Sequence, residues 1–315
     1  MPAIPIADLP APPPGLSGWP WTEASAPLSA PPQGEREWPR ITVVTPSYNQ
    51  AEFLERTIRS VLLQGYPRLE YIVIDGGSDD GSREIIERYA RHLAYWVSEP
   101  DRGYVHAINK GFQRATGEIL CWLNSDDFYL PGTLRAVAEH LKASAGTAAI
   151  AGHVLKVYAD GRPPQKLVGR YAGMGRLLKF WLGYQMHQPS IFWRREVYEE
   201  VGLLDEEKDL IADFDYWVRI ARRFRFTNVD RILSCATYHE RAKTGDNYRR
   251  YHEELRRHAP DYWRESSSPP YWLLKASMLN HDLLKPHLRT LLWPLNYLYL
   301  ASRRRLREWR RATQA

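Results

Sequence analysis

The strongest constraint on the fold is a regular alternation of apolar runs and amphipathic segments between residues 41 and 123. The strand-like runs are ITVVT, YIVID, AYWVSE and EILCWL. The segments between them space apolar residues as a helix does, first at Leu54, Ile58, Val61 and Leu62. Because the β and α segments alternate with short links, they predict an α/β fold with a Rossmann-like, mostly parallel sheet flanked by helices.

The composition changes on both sides of this domain, which is predicted to span residues 41–265. Residues 1–40 are too rich in proline for a helix or a central strand, and they predict an arm or linker. The two tryptophans of its GWPW fragment, Trp19 and Trp21, are expected to pack on the globular body, although a flexible arm with incidental aromatics is the alternative. Residues 266–315 begin with SSSPP and continue as apolar and basic helical sequence, which predicts a C-terminal helical appendage.

This C-terminal tail also carries the excess charge of the chain. The net charge is +6, and residues 269–315 hold nine Lys and Arg against two acids, a net +7. Because the excess lies in a terminal segment, nucleic-acid binding is not expected. Pro286 and Pro294 interrupt the longest apolar stretch, so a bilayer span is not expected either. The tail would then pack on the domain or bind the membrane surface peripherally, and its charge favours the membrane.

The N-terminus and the cysteines predict a cytoplasmic location, peripheral at the inner face of the membrane if the tail binds there. The first residues lack the basic start and the apolar stretch of a secretory signal. Cys121 and Cys235 lie in apolar runs and cannot form a disulfide framework or a four-ligand zinc site.

Polar clusters follow three of the predicted strands, at the edge of the sheet where open α/β folds bind ligands. The clusters are TPSYN at 45–49, DGGSDDGS at 75–82 and NSDD at 124–127. Asp75 is predicted to accept hydrogen bonds from a base or sugar. Asp79, Asp80 and Ser82 are predicted instead to form turns and to cap the next helix. The sequence contains neither a GxGxxG fingerprint nor a Walker lysine loop.

The segment CWLNSDDFYLP gives the sharpest chemical signal. A strand with a buried pattern ends in Asn124, Asp126 and Asp127, so amide and carboxylate oxygens converge at its end. Such oxygens bind Mg²⁺ or Mn²⁺ together with phosphate groups. An acidic turn at a helix start, without metal, is the competing interpretation.

Taken in order, TPSYN, VIDGGSDDGS, SEPDRG with AINKG, ATGEILCWLNSDD and ADFDYWVRI closely resemble the inverting family 2 glycosyltransferases, which have a GT-A fold. The resemblance covers about residues 40–245. It implies a nucleotide pocket lined by Thr45, Pro46, Tyr48 and Asn49, with Asp75 facing the base. It also implies that Arg102, Asn109 and Lys110 lie near the ribose or the diphosphate.

The same resemblance assigns the metal site and the catalytic base. The NSDD segment matches the family's Asp-x-Asp element except that its first acid is Asn124, which would face the ribose and weaken the charge at the site. Asp126 would bind Mg²⁺ or Mn²⁺, and His239 resembles the late histidine that completes many such sites, with a structural histidine as the alternative. Asp213 occupies the position of the family's base, although it could also cap the helix that follows.

Further residues near that helix have subordinate roles in this prediction. Asp215 is the fallback base, Arg219 is expected to support the fold, and His187 and Gln188 are expected in the acceptor-side wall.

The predicted reaction is a single displacement from a nucleotide-sugar donor to a glycan or lipid-linked acceptor, by family analogy a bacterial surface glycan. A nucleotidyltransferase is the first alternative, but it should have a glycine-rich, basic loop after the first strand, and TPSYNQAEF has neither Gly nor Lys. The second alternative is a sugar-nucleotide-binding protein without turnover, against which Asp213 argues.

Overall fold

The structure is a computed structural model that describes residues 3–28, 31, 36–144, 146–180, 186–242 and 248–264. The chain divides into two compact units, residues 1–177 with 184–258 and residues 178–183 with 259–315. The first unit contains the sheet described below. The tail at 266–315, with its predicted membrane contact, lies outside the described residues. Within the described residues, no helix has the length and apolar character needed to cross a membrane.

Nine strands and eight α-helices form the described part of the chain. The strands are β1 (Ile41–Ser47), β2 (Leu69–Asp75), β3 (Tyr95–Ser98), β4 (Ile119–Trp122), β5 (Phe128–Tyr129), β6 (Ala149–Tyr158), β7 (Gln165–Leu167), β8 (Ile191–Arg194) and β9 (Phe226–Tyr238). The helices are α1 (Ala51–Leu62), α2 (Ser82–Tyr89), α3 (Tyr104–Arg114), α4 (Thr133–Ala143), α5 (Met174–Leu177), α6 (Arg195–Val201), α7 (Ala212–Arg223) and α8 (Tyr248–Arg264).

The strands form one sheet in the order β3-β2-β1-β4-β8-β6-β9-β5, and β7 pairs with β6. The first four strands in this order are parallel, whereas β8 runs antiparallel to both β4 and β6. Every residue of β1 is buried, as expected for a central strand covered by helices on both faces. The predicted α/β class with a mostly parallel sheet is confirmed, and each antiparallel pair includes β7, β8 or β9.

A cluster of buried tryptophans joins the two halves of the sheet. The rings of Trp122 in β4 and Trp217 in α7 stack with centroids 5.2 Å apart, and Trp193 in β8 contacts both edge-on. Large aromatic side chains bury more apolar area than other residues, so this cluster fixes α7 against β4. As a consequence, Asn124 and Asp213 are held by the same packed core.

The proline-rich arm packs on α1. Arg59 of α1 is only 1% exposed and donates hydrogen bonds to the carbonyl oxygens of Pro10, Pro20 and Trp21 at 2.7 to 3.0 Å. Trp19 donates from its indole nitrogen to the carbonyl oxygen of Tyr129 at 2.8 Å. Trp19 and Trp21 therefore contact the body, as the sequence predicted, and their partners lie at least 38 residues away.

Candidate active site

A cleft of about 820 Å³ opens at the carboxyl ends of β1, β2 and β4. This is the edge of the sheet where open α/β folds bind ligands. The end of β9 and the start of α7 contribute the opposite wall. Five of the residues predicted to act on the donor or acceptor line the cleft: Pro46, Tyr48, Asn124, Asp126 and Asp213.

The loop after β4 and the end of β9 bring an acid and a histidine together. The carboxylate oxygen Oδ2 of Asp126 lies 3.1 Å from Nε2 of His239, and the histidine ring packs on Phe53 with centroids 4.3 Å apart. The side-chain oxygen of Asn124 is buried and has no hydrogen-bond partner among the described residues. The structure thus brings together three residues that the sequence assigned to metal and ribose binding, although their roles stay predictions.

Helix α1 forms hydrogen bonds with the loop after β4. Thr57 Oγ1 lies 2.8 Å from the carbonyl oxygen of Ser125 and 2.6 Å from that of Asp127. Arg56 donates to Thr237 Oγ1 at 2.8 Å, and its guanidinium lies 4.3 Å from the centre of the Phe128 ring. Arg56 and Thr57 were not among the predicted site residues. Polar side chains within a helix of apolar pattern could have indicated contacts with the loop after β4.

Asp127 is held inside the same loop. Its Oδ1 accepts a hydrogen bond from the backbone nitrogen of Thr237 at 3.0 Å. Burial, together with the neighbouring charge of Asp126, raises the pKa of the Asp127 carboxyl well above its usual value. The loop is therefore tied to both α1 and β9.

The residues around Asp126 fit a divalent cation with phosphate ligands. Within the described residues, no group of three or more His, Cys, Asp or Glu side chains converges on one point. The available donors are one carboxylate, one imidazole and the unpartnered amide oxygen of Asn124. Carboxylate and imidazole suit Mn²⁺, and carboxylate with amide oxygen suits Mg²⁺, provided that diphosphate oxygens supply the remaining ligands.

Asp213 is the second residue of α7 and lines the cleft. Its Oδ1 accepts a hydrogen bond from the backbone nitrogen of Phe214 at 2.7 Å, and Asp209 lines the cleft nearby. Asp215, the fallback base, is buried outside the cleft lining, with Lys208 at 2.6 Å and Arg219 at 2.8 Å. The structure therefore places Asp213, and not Asp215, at the cleft, and the role of Asp213 as the base stays a prediction.

Arg219 supports the fold, as predicted. Besides its ion pair with Asp215, it donates to the carbonyl oxygens of Val201 and Leu203, each at 2.9 Å. These bonds tie α7 to the end of α6 and the residues after it.

Gln188 lines the cleft, and its predicted place on the acceptor side stays a prediction. Its amide nitrogen donates to the carbonyl oxygen of Trp122 at 2.7 Å, whereas its side-chain oxygen is buried without a partner among the described residues. His187 precedes it, and burial together with the nearby His153 lowers the pKa of the His187 imidazole to about 4. His187 is therefore neutral at physiological pH.

Three predicted donor-binding residues near β1 and β2 face the protein and do not line the cleft. Thr45 is buried, with its hydroxyl 3.0 Å from that of Tyr71. The side-chain oxygen of Asn49 accepts from the backbone nitrogen of Asp79 at 3.1 Å. Asp75, the third, is fully buried and described below. Their predicted contacts with a nucleotide stay predictions.

Neighbouring residues supply the hydrogen bonds that the Asp75 carboxylate accepts. Its carboxylate accepts hydrogen bonds from Gly77 N, Ser78 N and Ser98 Oγ on one oxygen and from Ser78 Oγ on the other, at 2.5 to 3.2 Å. Four donors occupy most of the lone pairs that a carboxylate offers. Asp75 therefore shapes the loop after β2.

Asp80 caps the next helix, as predicted, and it also accepts a hydrogen bond from the first residue of α1. Its Oδ1 accepts from the backbone and hydroxyl of Ser82 at the start of α2, and its Oδ2 accepts from Ala51 N at the start of α1. Burial opposes the change, but these hydrogen bonds lower the pKa of the Asp80 carboxyl.

The three predicted donor-binding residues in and before α3 are also engaged elsewhere. Asn109 donates to the carbonyl oxygen of Leu204 and accepts from its backbone nitrogen, both at 3.0 Å. Arg102 forms an ion pair with Glu206 at 2.7 Å. Lys110 pairs in turn with Glu99 at 2.5 Å. None of the three lines the cleft, so their predicted contacts with ribose or diphosphate also stay predictions.

The sequence profile of Glycosyl transferase family 2 matches residues 42–202, just over half of the chain. The chain belongs to this family. Among family 2 relatives, the uncharacterized glycosyltransferase Rv1514c of Mycobacterium tuberculosis is 35% identical over 190 residues, covering 58% of this chain and 69% of that protein. The putative teichuronic acid biosynthesis glycosyltransferase TuaG of Bacillus subtilis is 33% identical over 135 residues, 41% of this chain and 52% of TuaG.

A solved structure gives the same fold. The mannosyltransferase PcManGT of Pyrobaculum calidifontis, in complex with GDP-Man and Mn²⁺, superposes with a TM-score of 0.58 at 23% identity, over 80% of this chain and 72% of that chain. This family 2 chain therefore has the GT-A fold that its motifs predicted. The family match ends at residue 202, so the geometry alone places Asp213 at the cleft and His239 beside Asp126.

Proposed function

We propose that the protein transfers a sugar from a nucleoside-diphosphate sugar to a hydroxyl group, with inversion at the anomeric carbon. The observation that carries the proposal is the presence of Asp213 and Asp126 in the lining of one cleft, with His239 paired to Asp126. Membership of family 2 and the GT-A fold support it.

In this proposal Asp213 is the general base. A hydroxyl is a poor nucleophile unless a carboxylate removes its proton as it attacks. The acceptor oxygen then forms a bond to the anomeric carbon while the bond from that carbon to the diphosphate breaks. The proton passes to Asp213, and the nucleoside diphosphate leaves. Attack opposite the leaving group inverts the anomeric centre in one step.

Asp126 and His239 would hold a Mg²⁺ or Mn²⁺ ion, with Asn124 beside them facing the ribose. When bound, such an ion neutralises the charge that develops on the departing diphosphate. The Mn²⁺ in the PcManGT complex supports this assignment. Arg56 and Thr57 keep the loop in place, so that the carboxylate of Asp126 is oriented before the donor arrives.

The proposed acceptor is a bacterial surface glycan or its lipid-linked precursor. The name of TuaG, which refers to teichuronic acid biosynthesis, supports this choice. The cleft volume of about 820 Å³ is within the range of small-molecule sites.

The test is incubation with a panel of nucleotide sugars and a surface-glycan preparation, with and without Mn²⁺, scored for released diphosphate. Asp213→Asn keeps the side-chain size but cannot take the proton, so donor binding should persist while turnover falls by roughly 10² to 10⁴. Proton NMR of the product should show an inverted anomeric centre.

Two control variants make the assignment specific. Glu199→Gln removes an exposed carboxylate on α6, outside the cleft lining, and should leave turnover unchanged. Asp209→Asn tests the other carboxylate beside α7. Near-normal turnover in Asp213→Asn would contradict its role, and a loss confined to Asp209→Asn would move the base to that residue. A retained anomeric configuration would contradict the single displacement.

A further inference from the structure

Strands β6 and β9 end side by side at the rim of the cleft. They run parallel, with Tyr158 in register with Tyr238, and Lys156 is likewise in register with Ala236. Residues two apart in a strand share one face of a sheet, as do residues in register on neighbouring strands, so these four side chains lie on one face. Ala236 and Tyr238 line the cleft that also contains Asp213. The face therefore continues from the cleft to Lys156 and Tyr158.

Two tyrosine rings form a platform on this face. The rings of Tyr158 and Tyr238 have centroids 6.0 Å apart and are tilted by 49° to each other. Tyr238 is 36% exposed, so part of its ring is uncovered at the cleft, and Tyr158 is half-buried. A tyrosine offers a flat apolar surface with a polar hydroxyl at its edge. A sugar ring offers C–H groups on a face and hydroxyls at its edge, so this tyrosine platform matches a sugar in shape and polarity.

A lysine adds a positive charge to the tyrosine platform. The Lys156 ammonium lies 3.4 Å from the centre of the Tyr238 ring and 4.8 Å from that of the Tyr158 ring. Cation–π attraction to the two rings stabilises this position. Among the described residues the ammonium forms no hydrogen bond and no ion pair, although it has three N–H donors. It is therefore available to donate to an anion.

Two other cations near the platform are already paired with acids. Arg162 packs 4.1 Å from the centre of one tyrosine ring, and its guanidinium forms an ion pair with Asp160 at 2.8 Å. Arg241 lines the cleft and pairs with Glu52. Lys156 is thus the cation of the platform that no carboxylate contacts within the described part of the chain. A ligand with a negative charge would supply the missing partner.

Resting on the proposed function, we infer that Lys156 and the tyrosine platform bind a negatively charged sugar unit of the acceptor. The exposed part of the Tyr238 ring contacts the C–H face of that sugar, and the Lys156 ammonium donates to its carboxylate or phosphate group. Because Tyr238 and Asp213 line one cleft, an acceptor held on the platform extends toward the proposed base. The acceptor is therefore an anionic glycan that contains a uronic acid or a sugar phosphate.

The first experiment measures binding of three probes to the full chain by NMR titration: methyl glucoside, methyl glucuronide and methyl glucoside 6-phosphate. The buffer contains EDTA, so that the phosphate cannot bind through a metal ion. We expect at least one charged probe to bind about fivefold more tightly than methyl glucoside, the ratio that a partly exposed charged contact supports. The preferred probe identifies the anion. The preference should shrink as salt is added, because salt screens exposed charges.

Variants of Lys156 test the charge. Lys156→Met keeps a long apolar stem but removes the ammonium, so the preference for the charged probe should fall below about twofold while binding of methyl glucoside is kept. Lys156→Arg keeps the charge and should retain the preference. Lys166→Met removes an exposed lysine from β7, the strand that pairs with β6, outside the cleft lining. This matched control should bind all three probes as the wild type does.

Variants of Tyr238 test the platform. Tyr238→Leu removes the ring, so neutral and charged probes should both lose about threefold to tenfold in affinity. Tyr238→Phe keeps the ring and should keep the binding of both. Thermal unfolding shows whether each variant is folded. The two sets of variants therefore separate loss of charge recognition from loss of stacking.

Each result supports or overturns the inference. Equal affinity for charged and neutral probes, or binding of none, would overturn it, as would an unchanged preference in a folded Lys156→Met or unchanged affinities in Tyr238→Leu. These results would leave the proposed transfer standing, because that rests on release of diphosphate from the donor panel. Absence of this release with every nucleotide sugar would overturn the proposed function, and with it the acceptor role of the platform, while the preference for a charged sugar would persist.

Discussion

The two ends of the cleft differ in how far the protein satisfies its own polar groups. At the end of β2, Asp75 accepts four hydrogen bonds from neighbouring residues and is fully buried. At the end of β4, the side-chain oxygen of Asn124 and Nδ1 of His239 are buried without partners among the described residues. Unpartnered buried polar atoms cost free energy unless a ligand or water satisfies them.

The difference distinguishes residues that stabilise the loops around the cleft from residues whose polar atoms are available to a ligand. A carboxylate with four donors stabilises its loop and has little left to offer a ligand. An unpartnered oxygen beside an acid and an imidazole is poised to gain partners when a ligand arrives. This criterion supports the proposal that Asn124, Asp126 and His239 bind a ligand and that Asp75 stabilises its loop.

The largest effect is expected from Asp126→Ala. This change removes the carboxylate that pairs with His239, so the enhancement of nucleoside diphosphate binding by Mn²⁺ should fall by about 100-fold or be lost. Calorimetry with and without Mn²⁺ measures it. The companion Asn124→Asp restores an acid at the first position and should preserve or tighten metal binding. Equal enhancement in wild type and Asp126→Ala would show that the acid is not a ligand.

A smaller loss is expected from Arg56→Met, which removes the guanidinium that holds Thr237 and packs on Phe128. Because residues that orient metal ligands typically contribute 10-fold to 100-fold in metal affinity, Mn²⁺ binding in the presence of diphosphate should weaken by about that ratio. Electron paramagnetic resonance of Mn²⁺ provides the measurement. Arg83→Met, which disrupts an exposed pair with Glu87, is the matched control and should have no effect. Unchanged Mn²⁺ affinity in a folded Arg56→Met would contradict the positioning role.

The smallest effect on the site, and the clearest contrast, is expected from Asp75→Asn. The amide cannot accept all four hydrogen bonds, so the free energy of unfolding should fall by about 1–3 kcal/mol. Urea denaturation measures it, with Asp79→Asn as an exposed control that should change stability by less than about 0.5 kcal/mol. An Asp75→Asn protein of normal stability that loses nucleotide affinity would mean that Asp75 contacts the base after all.

Much of the fold was predictable because its first half is built from local patterns. Each strand from β1 to β4 contains a run of mainly apolar residues, and each following helix repeats its apolar residues at helical spacing. The two-residue strand β5 was not predicted, because Phe128 and Tyr129 are too short a run to carry a pattern. Its pairing with β9, more than 100 residues away, exists only in the folded chain.

The location of the candidate site could be predicted from the ends of the parallel strands. The hydrogen-bond and ion-pair partners of its side chains could not be predicted. The carboxyl ends of parallel strands share one edge, so NSDD and TPSYN could be placed together from the sequence. Whether Arg102 contacts a phosphate or Glu206 depends on a residue 104 positions away. Sequence spacing within one element contains no information about such a partner.

By itself, the sequence determined the α/β fold, its family and the edge of the sheet where the cleft lies, because these follow from periodicity and from residue types at strand ends. Only the tertiary structure decided which carboxylates line the cleft. Asp101 and Asp213 are among those that do. Asp75 instead accepts hydrogen bonds within the protein, and Asp215 forms ion pairs with Lys208 and Arg219. The physical reason is that the availability of a carboxylate depends on how many donors surround it. Those donors, such as Ser98 for Asp75, come from other elements of the folded chain.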